Sequence, residues 1–240
     1  MTKTFKGKPL FGFLNFDHWD LSPQAARKLQ QKLAPLVIRK CGAAAVKTVA
    51  GIDVGIKSGV ACAAVVLLTF PGLEVVTQAT AGRRIKFPYI PGLLTFREGA
   101  VILDALDRIE PKPDLLIFDG QGIAHPCRMG IASHIGLLTD IPSIGCAKSR
   151  LCGRYQEPEA ERGSHMPLVD HGETIGAVVR TRVSVKPVFV SIGHRVDLAF
   201  SIDVVLSCCR GYRLPETTRK AHRLAEDCKN KPEFSSLVAE

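Results

Sequence analysis

Four consecutive apolar residues, Leu115-Leu116-Ile117-Phe118, constrain this chain more than any other stretch. Pro113 precedes the run, and Asp119-Gly120 closes it. The run is too short for a helix and shows no polar alternation. It therefore reads as a strand covered on both faces, as strands of parallel sheets are. Asp119 then stands where the chain leaves the sheet at a carboxyl end, the edge where open α/β sheets bind ligands. The competing reading is local: Asp before Gly is a common turn pair, and Asp119 could simply cap the turn.

Upstream, Val49–Val54, Val60–Leu68 and Leu73–Ala79 have strand character. The turns between them are short and carry Gly55, Lys57-Ser58-Gly59 and Pro71-Gly72, so the neighbours are antiparallel. Asp53 lies inside the first strand, between Ile52 and Val54. A carboxylate there is disfavoured and needs compensation, from a turn hydrogen bond near Gly55 or from a cation. A helix over Leu93–Ile109 has Ile102, Ala105, Leu106 and Ile109 as its inward stripe. Glu98 falls on that same face. Its nearness to the helix N-terminus is one explanation, a polar site the other. The crossover back to the Asp119 strand makes that strand parallel to the Asp53 strand.

Ser22-Pro23 opens an earlier helix that Pro35 must end or kink. Before it, Phe5, Phe11, Phe13, Phe16 and Trp19 are interleaved with Lys, as an arm that packs on the domain or stacks on bases. Arg83-Arg84-Ile85-Lys86 leads into Phe87-Pro88-Tyr89-Ile90-Pro91-Gly92, a stiffened tip able to wedge into a base stack. Later elements are a helix over 130–138, a strand over 142–146 leading to Lys148 and Arg150, and a polar stretch over 154–172 expected to be a mobile loop or a small insertion. Strands follow over 175–183 and 188–192, with a turn at Gly193-His194-Arg195. A helix spans 197–209, and the last helix carries His222. His134 and His194 are expected to be packing or turn residues.

Composition narrows the function. Lys plus Arg number 32 against 23 Asp plus Glu, a net +9 that favours polyanionic partners. Eight cysteines without a Cys-x-x-Cys pair point to a reducing, cytoplasmic setting and give no zinc spacing. No stretch suits a bilayer or a secretory signal. Taken together, Asp53, Glu98 and Asp119 favour a shared hard cation, Mg²⁺ with Mn²⁺ as substitute, because clustered carboxylates repel unless something positive lies between them.

The segments Gly51-Ile52-Asp53-Val54-Gly55, Pro88-Tyr89-Ile90-Pro91-Gly92-Leu93-Leu94-Thr95-Phe96-Arg97-Glu98 and Asp119-Gly120-Gln121-Gly122-Ile123-Ala124-His125-Pro126 resemble the endonuclease V family, as do Gly145–Gly153 and Tyr212-Arg213-Leu214-Pro215-Glu216. The resemblance implies a ribonuclease-H-like fold, an α/β mixed sheet in which three antiparallel strands lead into parallel ones, flanked by helices. It implies Mg²⁺-dependent cleavage of the second phosphodiester bond 3′ to a deaminated base, deoxyinosine above all. It places metal binding on Asp53 and Asp119, and further catalytic roles on Glu98, His222, Lys148 and His125. Tyr89 with Ile90 matches the wedge; Gly92, Leu94, Gly120, Gly122 and Leu151 match the pocket for the everted base. Expected partners are DNA with deaminated bases or inosine-containing RNA, with no membrane, for a monomer. A catalytically silent nucleic-acid binder is the competing class. Gln121, Cys127 and Thr217 depart from the family's usual residues. The expected organisation is an arm over 1–21, one domain over 22–228 and a polar tail over 229–240.

Overall fold

The computed structural model describes residues 19–41 and 45–231. Most of the aromatic arm and most of the polar tail lie outside them. One eight-stranded sheet organises the chain, in the order β3-β2-β1-β4-β5-β8-β7-β6. Strands β1 (Thr48–Lys57), β2 (Val60–Thr69) and β3 (Val75–Arg84) form the expected antiparallel meander. Strands β4 (Leu115–Phe118) and β5 (Ser143–Ala147) then run parallel to β1. This is the ribonuclease-H-like core.

The Leu115–Phe118 run behaves as its composition requires. Leu115 and Ile117 enter one hydrophobic cluster, Leu116 and Phe118 the cluster on the other face, and none is more than 1 % exposed. Burying each such side chain contributes about 2 kcal/mol. Helix α2 (Leu94–Asp107) covers one face through Ile102, Ala105 and Leu106; α5 (Glu216–Cys228) packs on the other. Helix α1 (Pro23–Leu33) starts at the Ser22 cap, whose hydroxyl accepts from the Ala25 N–H, and a 3-10 turn over Ala34–Leu36 follows it.

Beyond β5 the sheet continues antiparallel through β8 (Val188–His194), β7 (Glu173–Val179) and β6 (His165–Asp170). Two expectations change here. The 154–172 stretch is not simply a loop, because its last third forms the edge strand β6. His165 and Pro167 are exposed along it, as suits a strand at the sheet's edge, where Val169 also bridges Arg154. His194 ends β8 rather than forming a turn: it is buried, accepts from the Ile38 N–H at Nδ1, and lies 3.4 Å from Asp140. Helices α3 (Ile131–Thr139) and α4 (Leu198–Cys208) complete the layers. Trp19 packs on Phe96 and His134. Among the described residues no helix is long and apolar enough to cross a membrane.

Candidate active site

Strand alternation builds the acidic part of the site. Val49, Gly51, Asp53 and Gly55 share one face of β1, the face toward α5. A Cβ on Gly51 would lie 2.0 Å from the Thr217 carbonyl oxygen, and one on Gly55 would lie 3.0 Å from that of Ala225. Both glycines therefore let α5 settle on the strand, and Asp53 sits between the two contacts. His222, on the adjoining edge of α5, reaches it with Nδ1 2.7 Å from Oδ2.

Parallel register supplies the second acid. Ile52 pairs with Phe118, so Asp53 and Asp119 are the next step outward on neighbouring strands. Lys148, just beyond β5, forms an ion pair with Asp119. The Arg213 guanidinium donates to the Lys148 carbonyl at 2.6 Å and to that of Pro187 at 2.8 Å, which fixes the exit of β5. The third acid, Glu98, arrives from α2 on the opposite layer.

The electrostatics register this crowding. Burial raises the Asp53 carboxyl above its ordinary value; the His222 bond opposes that shift, and the charge of Asp119 adds to it. Glu98 is pushed up to about 8, first by burial and then by Asp53, against the pull of Arg97. Among the described residues no group of three or more His, Cys, Asp or Glu stands ready around a metal position. Asp53 is instead turned to His222, and Asp119 to Lys148. The donor chemistry nevertheless fits Mg²⁺, which takes one or two carboxylates and keeps most of its water. Asp53 and Glu98 are raised first by burial, and each is raised further by a neighbouring carboxylate.

A cavity of about 310 Å³ adjoins the acids. Tyr89, Ile90, Gly92, Leu94, Gly120 and Leu151 line it, together with Gln121 and Thr95. Tyr89 is 70 % exposed at its rim. Helix α2 begins there without a side-chain cap, so its first N–H groups start on cavity-lining residues. A second cleft of about 300 Å³ is lined by His222, Thr218, Leu214, Arg219 and Arg223. Asp119 and Lys148 line both.

Two expected site residues are placed differently. Gly122 does not line the cavity. Its N–H donates to the Ser191 hydroxyl at 2.9 Å, and a Cβ there would strike the Ile192 carbonyl, so it is a packing glycine under β8. His125 is buried rather than presented to a phosphate. Its Nε2 lies 2.8 Å from the Gly92 carbonyl, and its Nδ1 accepts from the Cys127 N–H at 3.0 Å. Both nitrogens are used, and burial lowers the imidazole's proton affinity. His125 is thus a neutral brace that also forms part of the cavity wall. The departures scatter: Gln121 lines the cavity and donates to the Ser149 carbonyl, Cys127 lines neither cleft, and Thr217 lies buried under Gly51.

Some residues of the site went unread in the sequence. Arg219 and Arg223 stand four residues apart on the helix that carries His222, a one-face spacing that was available as a signal. Gln30, Arg97 and Arg213 act on carbonyls distant in sequence, and no local pattern announces such bonds.

Residues 25–223 match the endonuclease V family. The chain belongs to that family. An endonuclease V from Roseiflexus sp. (strain RS-1) is 53 % identical over 88 % of this chain and 96 % of its own length. Among solved structures, the endonuclease V of Streptomyces avermitilis superposes with a TM-score of 0.84 at 42 % identity, covering 88 % of this chain and 94 % of that one. The Ciona intestinalis endonuclease V, with a TM-score of 0.73 and 27 % identity over 86 % of this chain and 98 % of that one, was solved with a 24mer DNA containing an inosine followed by a ribo-adenosine. The mixed sheet and its flanking helices are therefore the endonuclease V fold.

Proposed function

We propose that this family member is a DNA repair nuclease. It everts deoxyinosine into the 310 Å³ cavity and hydrolyses the second phosphodiester bond 3′ to it, with Mg²⁺, or Mn²⁺ in its place, held by Asp53 and Asp119. The observation that carries this reading is the shared wall. Asp119 and Lys148 border both the base-sized cavity and the basic cleft, so a base in the first brings its 3′ backbone to the second.

Hypoxanthine pairs weakly, so extruding it costs less than extruding a normal base. Tyr89, exposed on a loop stiffened by Pro88 and Pro91, fills the space the base leaves. Bound metal would lower the proton affinity of a water and offset charge on the phosphate. Lys148 neutralises a phosphate oxygen beside Asp119, and Arg219 and Arg223 hold the neighbouring backbone. His222, fixed through Nδ1 by Asp53, keeps its other ring nitrogen toward the cleft to take or give a proton. Glu98 is pushed up to about 8 by burial and by Asp53, and a cation bound nearby would favour its ionised form. Both clefts are complete within one chain, so a monomer suffices. All eight cysteines are free, in keeping with a cytoplasmic setting.

Inosine in RNA is the second reading. The DNA of the Ciona complex contains an inosine followed by a ribo-adenosine, so that relative's bound strand includes a ribose. Incubating the protein with matched inosine-containing DNA and RNA, with and without Mg²⁺, tests both. Mg²⁺-dependent nicking of the DNA one nucleotide beyond the lesion's 3′ neighbour bond supports the first reading. RNA cleavage alone supports the second, and no nicking of either overturns both.

A further inference from the structure

The wedge loop has few ways to hold its shape. Pro88 and Pro91 remove two N–H donors, and the backbone bonds within reach are Ile85 N–H to Gly59 and Leu93 N–H to Ile90. Phe87 plugs into the Leu93, Phe96 and Ala26 cluster, and Arg97 donates to its carbonyl at 2.9 Å. The tip must then be held through carbonyl oxygens. Gly92, at φ +84°, is the one residue of the tip in the left-handed region, and its carbonyl accepts two side-chain bonds. One comes from His125. The other, also 2.8 Å, comes from Gln30 of α1, a helix that contributes no residue to either cleft.

Gln30 is 1 % exposed, and its amide nitrogen uses both hydrogens. The second bond goes to the Met129 carbonyl at 3.0 Å. Two carbonyl acceptors fix the amide's orientation, because the flipped form would face oxygen with oxygen. The side-chain oxygen is left buried without a partner. Such an unpaired acceptor costs about 1–3 kcal/mol, a cost the fold bears for the two donor bonds. Those bonds join two segments of the cavity's lining. Gly92 belongs to the wedge loop, and Met129 immediately precedes the lining residues Gly130 and Ile131.

We propose that Gln30 is a positioning residue for lesion recognition: by tying Gly92 to Met129 it fixes the wedge loop against the 129–131 segment and sets the stance of Tyr89, and leaves bond cleavage to the acids. This deepens the proposed function and rests on it. The geometry separates the roles, since Gln30 bonds to neither Asp53, Glu98, Asp119 nor His222.

The test uses the full chain and Gln30→Met, which keeps volume and removes both donors. Hydrogen exchange of the free protein should quicken at the Leu93 amide and in the 129–132 segment, with α5 and β4 unchanged. Affinity for an inosine-containing duplex should fall about tenfold, while the single-turnover rate at saturating enzyme stays within about twofold. In a Tyr89→Ala background Gln30→Met should have little further effect on affinity, because both act through one loop. If the Met variant does not fold, Gln30→Glu replaces it, and raising pH should loosen the same amides as the carboxyl loses its donor proton. Unchanged exchange, a loss confined to the saturating rate, or strict additivity with Tyr89→Ala overturns the assignment. If wild-type protein nicks no inosine substrate, the proposed function fails, and the exchange experiment still decides whether Gln30 clamps the loop.

Discussion

The two clefts that meet at Asp119 and Lys148 are built on opposite principles. The base cavity is held by side-chain bonds to backbone: carbonyls braced by Gln30, His125 and Arg97, and loops tied by Gln121 to Ser149. The acids beside it are held together against their own charge. Asp53 and Glu98 sit with their proton affinities raised, while His222 bonds to Asp53 and Lys148 pairs with Asp119. A recognition surface gains from rigidity before the ligand arrives. A metal site gains from stored repulsion that only a cation relieves.

The largest effect that would break this contrast comes from the acids. Asp53→Asn or Asp119→Asn should lower the nicking rate by at least about a thousandfold, the few kcal/mol of charge stabilisation a metal supplies. Binding of inosine duplex should stay within a few-fold, measured by gel shift in Ca²⁺ or chelator. Nicking at wild-type rate in either variant would remove the metal from the reading. A joint loss of binding would mean the two clefts are not separate in function.

Glu98 gives a pH signature. Its folded-state value is about 8 against an ordinary 4.5, so its favourable contribution is complete below pH 4.5 and is lost as pH rises through 8. At 1.36 kcal/mol per unit the ceiling is on the order of 5 kcal/mol. Glu98→Gln should therefore be more stable than wild type at pH 8 and similar at pH 5, in urea melts run with chelator. His125 and His194, whose values burial lowers, weaken both proteins alike toward acid and cancel in the difference. Mg²⁺ should narrow the pH 8 gap. Parallel stability curves from pH 5 to 8 would show that Glu98 is not under this strain.

Tyr89→Ala should weaken binding of inosine duplex by about tenfold to a hundredfold, the range of one aromatic–base stack. The saturating rate should hold, and fluorescence titration against a matched undamaged duplex reads the difference. Equal losses on both duplexes would make Tyr89 a general contact rather than a lesion wedge.

How much of this was legible in the sequence differs between the clefts in the same way. Asp53 and Asp119 stood out because each breaks a local rule, a carboxylate inside or ending an apolar strand. The meander and the parallel pair followed from turn length and an uninterrupted apolar run. Gly122 and His125 could not be placed from pattern, since motif membership does not say whether a residue faces a cavity or a neighbouring strand. What displaces them is Ser191 and Ile192 of β8 and the Gly92 carbonyl, all more than 30 residues away. β6 was obscured because its short Met-Pro-Leu-Val run lies inside a longer polar stretch and carries a proline, which argues against a strand.

The smallest effect tests how the acid cleft is positioned. Thr217 is fully buried where α5 crosses β1, and its hydroxyl has no partner. What the crossing uses is the backbone: the Thr217 carbonyl lies where a Gly51 Cβ would be. If that close approach alone seats α5, the hydroxyl is a burden, and a methyl of similar shape relieves it. Thr217→Val should then be more stable by about 1 kcal/mol, since an unpaired buried hydroxyl is replaced by an apolar group. That corresponds to a rise of about 2–4 °C in Tm for a chain of this size. Nicking should stay within about twofold, because His222 and Asp53 keep their spacing. A destabilised Val variant would mean the hydroxyl finds a partner in solution, and α5 would then be seated by a polar bond as well as by the glycine.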